Sequence, residues 1–109
     1  MKKKNRIRKK EEFQKLIHSA KKNINPSFVI YFISKKDKEA RIGISVPKKI
    51  GKAVKRNLYK RQVRMMLEKI INFTDYPYDI VIIIRFAYPN KSFEENQKLL
   101  ERSLIKDII

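Results

Sequence analysis

The stretch RIGISVPKKIGKAVKRNLYKRQVR, residues 41–64, contains a strand pattern, a basic loop and the start of a long helix in direct succession. Apolar side chains occupy every second position from 42 to 46, which is the period of a half-buried β-strand. After Pro47 and Gly51 the apolar period changes to three or four residues, and a helix is predicted from about residue 53 to 71. The stretch therefore predicts a strand followed by an amphipathic helix.

The predicted helix has two different faces. Its apolar stripe, which is expected to face the core, consists of Tyr59, Val63, Met66, Leu67 and Ile70. Its basic face consists of Arg56, Lys60 and Arg64 one turn apart, with Asn57 and Arg61 beside them. Like charges at this spacing destabilise an isolated helix by about 0.2–0.5 kcal/mol per pair, so this face calls for an anionic partner.

Positive charge is concentrated in the first part of the chain. Residues 1–64 carry 22 Lys and Arg against 4 Asp and Glu, whereas residues 65–109 carry 6 against 7, within a net charge of +17. Residues 48–64 contain eight basic side chains and no acidic one. A patch of uncompensated charge favours a polyanion, and a nucleic acid is the first candidate partner.

The segments before residue 41 predict one helix and one strand. Residues 1–10 form a basic run that is expected to be an extended arm. Helical spacing of Phe13, Leu16, Ile17 and Ala20 predicts a helix that opens at Glu11 and is ended by residues 23–26. Residues 28–33 are β-branched or aromatic and predict a strand, with Tyr31 on the face opposite to Phe28.

The segments after the long helix predict a strand and a last helix. Residues 79–86 are apolar on both faces, as is typical of a central strand. Ser92 and Glu95 match a capping box for a helix that runs to about residue 106. Its inner stripe is Phe93, Leu100, Leu104 and Ile108. The predicted fold is α+β, a small α/β sandwich in one domain of 109 residues, with the order α-β-β-α-β-α and a further short strand left open.

Several classes of function lack the residues that they need. There is no cysteine for a thiolate site, and His18 is the only histidine, for which a solvent-facing or packing role is expected. The acidic residues are scattered, and two glycines cannot supply a nucleotide-binding loop. No apolar run approaches the roughly 20 residues of a membrane helix, and no signal peptide is expected. The sequence thus predicts a basic cytoplasmic protein with no catalytic residues, no metal site and no membrane partner.

Residues 41–64 as a whole resemble the motif of the bacterial ribonuclease P protein subunit. The family pattern is R-x-G-x-S-V, then K-K-x-G-x-A-V, then a helix with R-N-R-x-K-R-x-x-R; residues 4–15, KNRIRKKEEFQK, are similar to the opening of the family. Two positions depart from the pattern. Leu58 stands where the family has its second Arg-Asn-Arg arginine, and Pro47 stands where serine is more frequent.

The resemblance implies a fold, an activity and two RNA partners, namely the ribonuclease P RNA and precursor tRNA. The fold would include a left-handed βαβ crossover, against the usual right-handed rule. The activity would be that of a subunit of the endoribonuclease that removes the 5′ leader of precursor tRNA, with catalysis by the ribonuclease P RNA and Mg²⁺ required by the RNA-containing holoenzyme. No obligate protein partner is evident. Two alternative functions stay open. One is a non-catalytic basic ribosomal or RNA-assembly protein, and the other is a nuclease that acts alone.

The resemblance also assigns roles to residues. Contacts to the catalytic RNA are expected from Lys48, Lys49, Lys52, Arg56, Asn57, Lys60, Arg61 and Arg64. A cleft between the first helix and the sheet would bind the single-stranded leader through Phe13, Ile17, Tyr31, Arg41 and Ser45. An aromatic ring there can stack on a base for about 1–3 kcal/mol with little sequence preference.

Overall fold

Three helices cover a four-stranded sheet in a computed structural model of the chain, which describes residues 1–7, 9–19 and 21–106. The helices are α1 (Lys10–Ser19), α2 (Ala53–Ile70) and α3 (Phe93–Glu101). The strands are β1 (Lys21–Ile24), β2 (Phe28–Ser34), β3 (Ile42–Ser45) and β4 (Tyr78–Ile84). The α+β prediction is confirmed, and the capping box of Ser92 and Glu95 opens α3 as expected.

The sheet has the strand order β1-β2-β4-β3, and its only parallel pair within the described residues is β3 with β4. The helix α2 connects these two neighbours. Ile80 has its side chain in the core on the α2 side, and its backbone N–H donates to the carbonyl of Arg41 at the start of β3. In an upward strand of L-residues, a residue whose side chain points at the viewer has its backbone N–H pointing to the right. Seen from the α2 side, the N–H of Ile80 therefore points right, toward β3, so β4 lies to the left of β3. The crossover is therefore left-handed, as the resemblance predicted.

The two faces of the sheet are covered by different helices. The stripe of α2 packs with α3 on one face, where Val63, Met66, Leu67, Leu100 and Leu104 are fully buried. On the other face α1 forms a smaller cluster around Leu16 and Val81. The predicted inner stripes of α2 and α3 are confirmed, except that Ile108, like Ala20 of the first helix, lies outside the described residues.

Three boundaries differ from the prediction. The first helix ends at Ser19, and the mostly polar residues Lys21–Ile24, expected to belong to its end, form β1. Their main chain pairs with β2, from Lys21 opposite Phe32 to Ile24 opposite Val29, and backbone pairing needs no apolar pattern. The strand β4 ends at Ile84 and not at Phe86, which is 72% exposed. The last helix changes to a π-helical turn over Arg102–Lys106.

The basic N-terminal segment lies on the edge of the sheet and does not project as an arm. The buried Asn5 side chain donates to the carbonyl of Ala40 at 3.0 Å, and the backbone N–H of Ile7 donates to the carbonyl of Ile42 at 2.9 Å. Ile7 is also buried against α1. The buried residues Asn5 and Ile7 therefore hold this otherwise basic segment against the sheet. The charge run alone did not predict this contact.

Candidate nucleic-acid interface

The basic face of α2 begins beside the buried stripe of the helix and continues round to its exposed side. Asn57 and Arg61 are exposed, while Arg56, Lys60 and Arg64 are half-buried beside the core-facing residues. No acidic residue occurs in the first turn of α2, and no ion pair within the described residues involves these basic side chains. These side chains form the basic patch of α2, whose charge is not compensated by any ion pair within the described residues.

The N-terminus of α2 adds to this patch. Lys48 and Lys49 are exposed on a 3-10 turn, Lys48–Ile50, and Lys52 is the N-cap residue, whose side chain makes no capping hydrogen bond. The first N–H groups of a helix favour an anion, because they lack intrahelical acceptors and carry partial positive charge. Arg56 donates from its guanidinium to the carbonyl of Gly51 at 3.0 Å, which holds the basic turn against the helix.

The α1 face brings the predicted cleft residues together. Tyr31, Val81 and Gly43 occupy one row across β2, β4 and β3. The ring of Phe13 lies directly over Gly43, since a Cβ atom built on that glycine would be 2.5 Å from a ring carbon of Phe13. Ile17 and Tyr31 pack half-buried against the same small cluster. The glycine therefore permits α1 to place an aromatic ring on the sheet surface.

Arg41 and Ser45 flank that row on the same face of the sheet. Ser45 is half-buried and lies opposite Ile83 of β4. Arg41 forms an ion pair with Glu12 of α1, so its guanidinium is not freely available to a ligand. Its backbone N–H donates to a carboxylate oxygen of the buried Asp79 at 2.8 Å. Burial raises the pKa of Asp79, although the hydrogen bond from Arg41 opposes the shift.

Three residues of this surface were missed by the sequence reasoning. Val29 and Ile83 are half-buried neighbours in the row of Ser45, and they extend the apolar sheet surface beside α1. The alternation of β2 places Val29 on the face of Tyr31, so the sequence held a signal for it. Lys22 of β1 is exposed opposite Tyr31 and adds a cation to the rim. No signal pointed to Lys22, because the further short strand that the sequence analysis left open had no assigned position along the chain.

Neither a metal-binding cluster nor a membrane-spanning helix is found in the described residues. Among them no three His, Asp or Glu side chains are grouped so that they could hold a metal ion. His18 is exposed on α1, in agreement with a solvent-facing role. None of the described helices has both the length and the apolar character needed to span a bilayer.

Comparisons with known proteins agree with this arrangement. The family model described as Ribonuclease P matches residues 1–107. The ribonuclease P protein component of Mesoplasma florum is 46% identical over 108 residues, covering 97% of both chains.

Two solved structures share this fold. An RNase P protein mutant from Staphylococcus aureus superposes with a TM-score of 0.84 at 32% identity, covering 96% of this chain and 88% of its own. The RNase P protein of Thermotoga maritima gives a TM-score of 0.80 at 30% identity, covering 95% and 97%. Together with the basic helix and the aromatic ring on the sheet, they show that the chain belongs to the ribonuclease P family and is the protein component of this tRNA-processing endoribonuclease.

Proposed function

We propose that this ribonuclease P protein binds the catalytic RNA with α2 and the 5′ leader of precursor tRNA with the α1 face of the sheet. The observation that carries the proposal is the uncompensated basic patch from Lys48 to Arg64, next to a partly exposed sheet surface with the ring of Phe13 on it. In this proposal the RNA cleaves the phosphodiester bond between leader and tRNA, and the protein supplies groups that bind RNA but no catalytic residues. The proposed location is the cytoplasm, where bacterial transcripts are made.

The catalytic RNA is expected on the α2 patch because phosphates are what its side chains can bind. The cations of α2 and the lysines before it would each neutralise a phosphate and release a counterion, so that binding weakens steeply with salt. The uncapped N-terminus of α2 adds backbone N–H donors for one phosphate. Leu58 is half-buried and contributes no charge at the position where the family has an arginine.

The leader is expected on the α1 face because that surface combines rings, apolar side chains and cations. Phe13 and Tyr31 are half-buried, which leaves part of each ring for stacking on an unpaired base. Lys22 lies at the rim, where backbone phosphates of a single strand would run, and Arg41 would join it on release from Glu12. Ser45 offers a hydroxyl on β3, on the side of Gly43 opposite to Arg41. Such a surface favours single strands over duplexes, because only unpaired bases expose their faces.

Magnesium enters the proposal through the RNA. Close packing of RNA helices near an active site is opposed by phosphate repulsion, which divalent ions reduce. A protein that contributes fixed positive charge reduces the same repulsion, so fewer ions are needed. The proposed effect of the protein is therefore largest at low magnesium.

A cleavage assay tests the proposal. The cognate ribonuclease P RNA and precursor tRNA are mixed at low magnesium with and without this chain, and the rate of leader release is measured. We expect strong stimulation by the protein and no cleavage by the protein without RNA. Absence of stimulation would favour a general RNA-assembly protein, and cleavage without RNA would show a nuclease active site on the protein.

The salt dependence of binding tests whether the basic patch of α2 contacts the catalytic RNA. Lys60→Gln removes one cation of the basic patch, and Lys69→Gln removes one from the far end of the same helix. Lys60→Gln should lower the slope of log affinity against log salt for the catalytic RNA by about 0.7–0.9, while Lys69→Gln should leave it unchanged. Equal slopes for the two variants would show that the RNA contacts another face.

A further inference from the structure

Two arginine side chains near the edge of the sheet each have a buried N–H group that donates to no acceptor within the described residues. The Nε atoms of Arg6 and Arg64 are both buried, and neither has a hydrogen-bond partner within the described residues. A buried donor without an acceptor costs about 1–3 kcal/mol, and more when the group is charged. Most buried polar groups in folded proteins have partners, so two orphans of the same kind in neighbouring side chains require a physical reason.

Arg6 and Arg64 are brought together by different parts of the chain. Arg6 lies in the N-terminal segment and bridges to Ile42 at the free edge of β3, and Arg64 lies on α2. Both line one cavity of about 370 Å³. Lys60 also lines it, and none of its lining residues is acidic. Burial lowers the pKa of Arg64, and the positive charge of Arg6 lowers it further.

An oxyanion would remove both costs at once. A guanidinium edge offers two parallel N–H donors that fit the oxygens of a phosphate, and two such edges can share one phosphate group. A water molecule could accept from one Nε–H, but it would not offset the repulsion between the two cations. The cavity also contains Phe13, so it lies where the α2 patch and the α1 face meet.

We propose that Arg6 and Arg64 together bind one phosphate group of an RNA backbone in the cavity at the edge of β3. This phosphate joins the N-terminal segment to α2 and gives Arg6 a role that the sequence reasoning did not assign. The inference rests on the proposed function for the identity of the RNA, but the phosphate site itself can be tested without any RNA.

The site is tested by NMR on the full chain. Arginine Nε–H signals are followed during a titration with sodium phosphate at constant ionic strength, with chloride as the replaced anion. The signals of Arg6 and Arg64 should shift together and saturate with one midpoint, whereas the exposed Arg61 should shift less and without saturation. If Arg6 and Arg64 do not shift, or shift only as Arg61 does, the site does not exist and phosphate binding is merely adventitious.

Charge-preserving variants separate geometry from net charge. Arg6→Lys and Arg64→Lys keep the charge but remove the Nε–H edge, and each should weaken phosphate binding at the remaining arginine about tenfold. Arg102→Lys, at an exposed position outside α2, is the matched control and should leave the midpoint within about twofold. Circular dichroism verifies that each variant is folded, and the titration of the unaltered chain decides the question if one is not. Equal midpoints in all three variants would overturn the proposal.

RNA binding identifies the source of the phosphate. If the catalytic RNA supplies it, Arg6→Lys should weaken binding of that RNA alone by about tenfold. If the leader supplies it, Arg6→Lys should instead weaken holoenzyme affinity for precursor tRNA and not for mature tRNA. If neither affinity changes while inorganic phosphate still binds, RNA is not the ligand. Stimulation of cleavage by the unaltered chain would then still stand, so this failure is distinct from failure of the proposed function.

Discussion

The two faces of the sheet differ in how completely they are buried. Under α2 and α3 the core is continuous, and residues such as Phe28, Ile82 and Leu100 have no exposed surface. Under α1, three buried residues are surrounded by five that remain partly exposed, within the part of the chain that the structure describes. The difference indicates that the α2–α3 face supplies most of the stability of the fold, whereas the α1 face, where the leader is proposed to bind, leaves apolar surface partly exposed.

A matched pair of leucines tests this division. Leu100→Ala should lower the free energy of unfolding by about 2–5 kcal/mol, because it leaves a cavity in a fully buried core. Leu16→Ala removes the same atoms from α1 and should cost less, about 2 kcal/mol, because the neighbouring side chains are partly exposed and can relax. Urea denaturation followed by circular dichroism measures both. Equal losses would show that the two faces contribute alike to stability.

The contact between Gly43 and Phe13 is the second point of attack. Gly43→Ala places a methyl group 2.5 Å from the ring of Phe13, so the ring must move, at a cost of about 1–3 kcal/mol of stability. Gly51→Ala is the control, since its added Cβ would meet only the flexible Lys55 side chain at 3.3 Å. Gly43→Ala should also weaken binding of leader-bearing precursor relative to mature tRNA.

A double variant shows whether the ring is the cause. In the background of Phe13→Ala, the further change Gly43→Ala should cost much less, because the clash has been removed. Thermal or urea unfolding of the two single variants and the double variant gives the coupling energy. Strictly additive losses would show that the alanine at position 43 acts on something other than Phe13.

The ion pair of Glu12 with Arg41 makes a third test on the α1 face. Glu12→Gln should release Arg41 for a leader phosphate and raise affinity for leader-bearing precursor by up to about fivefold, the range expected for an exposed ion pair. Glu11→Gln changes the same charge at an exposed neighbouring position and serves as the control. If both variants raise affinity equally, net charge explains the effect and Arg41 has no particular role.

The sequence predicted the α2–α3 face more completely than the α1 face, for a physical reason. Helix stripes such as Val63 with Leu67, and the two-sided apolar pattern of β4, follow local periods, so the core could be identified residue by residue. The strand β1 could not, since its residues are mostly polar and it is held by backbone pairing with β2. Position in the sheet, and not composition, determines such a strand.

Long-range pairing explains most of what the site prediction left out. Glu12 and Arg41 are 29 residues apart, and nothing in the local pattern joins them. The same holds for Arg6 and Arg64, which meet only because the N-terminal segment docks on β3. The roles of Phe13, Tyr31 and the basic residues of α2 came from the family resemblance, and as contacts to RNA they stay predictions.

The smallest expected effect concerns Asp79, which lies at the end of the α1 face. Because burial raises its pKa in the folded protein, the folded state binds the proton more tightly than the unfolded state does. Stability from this group is therefore greatest at low pH. It decreases as the pH rises from the ordinary value of 3.8 through the raised folded value.

Asp79→Asn tests that sign. Asparagine keeps an oxygen that can accept the hydrogen bond from the backbone N–H of Arg41, but its side chain cannot ionise. In the unaltered chain this hydrogen bond is 2.8 Å from the nitrogen to the carboxylate oxygen of Asp79. The stability of the variant relative to the unaltered chain should therefore increase between about pH 4 and pH 7, as urea unfolding would measure. Asp75→Asn, at an exposed position, should show no such trend. A relative stability of Asp79→Asn that falls with rising pH would mean that the ionised carboxylate is stabilised where it lies, and that Arg41 and its neighbours outweigh the desolvation of Asp79.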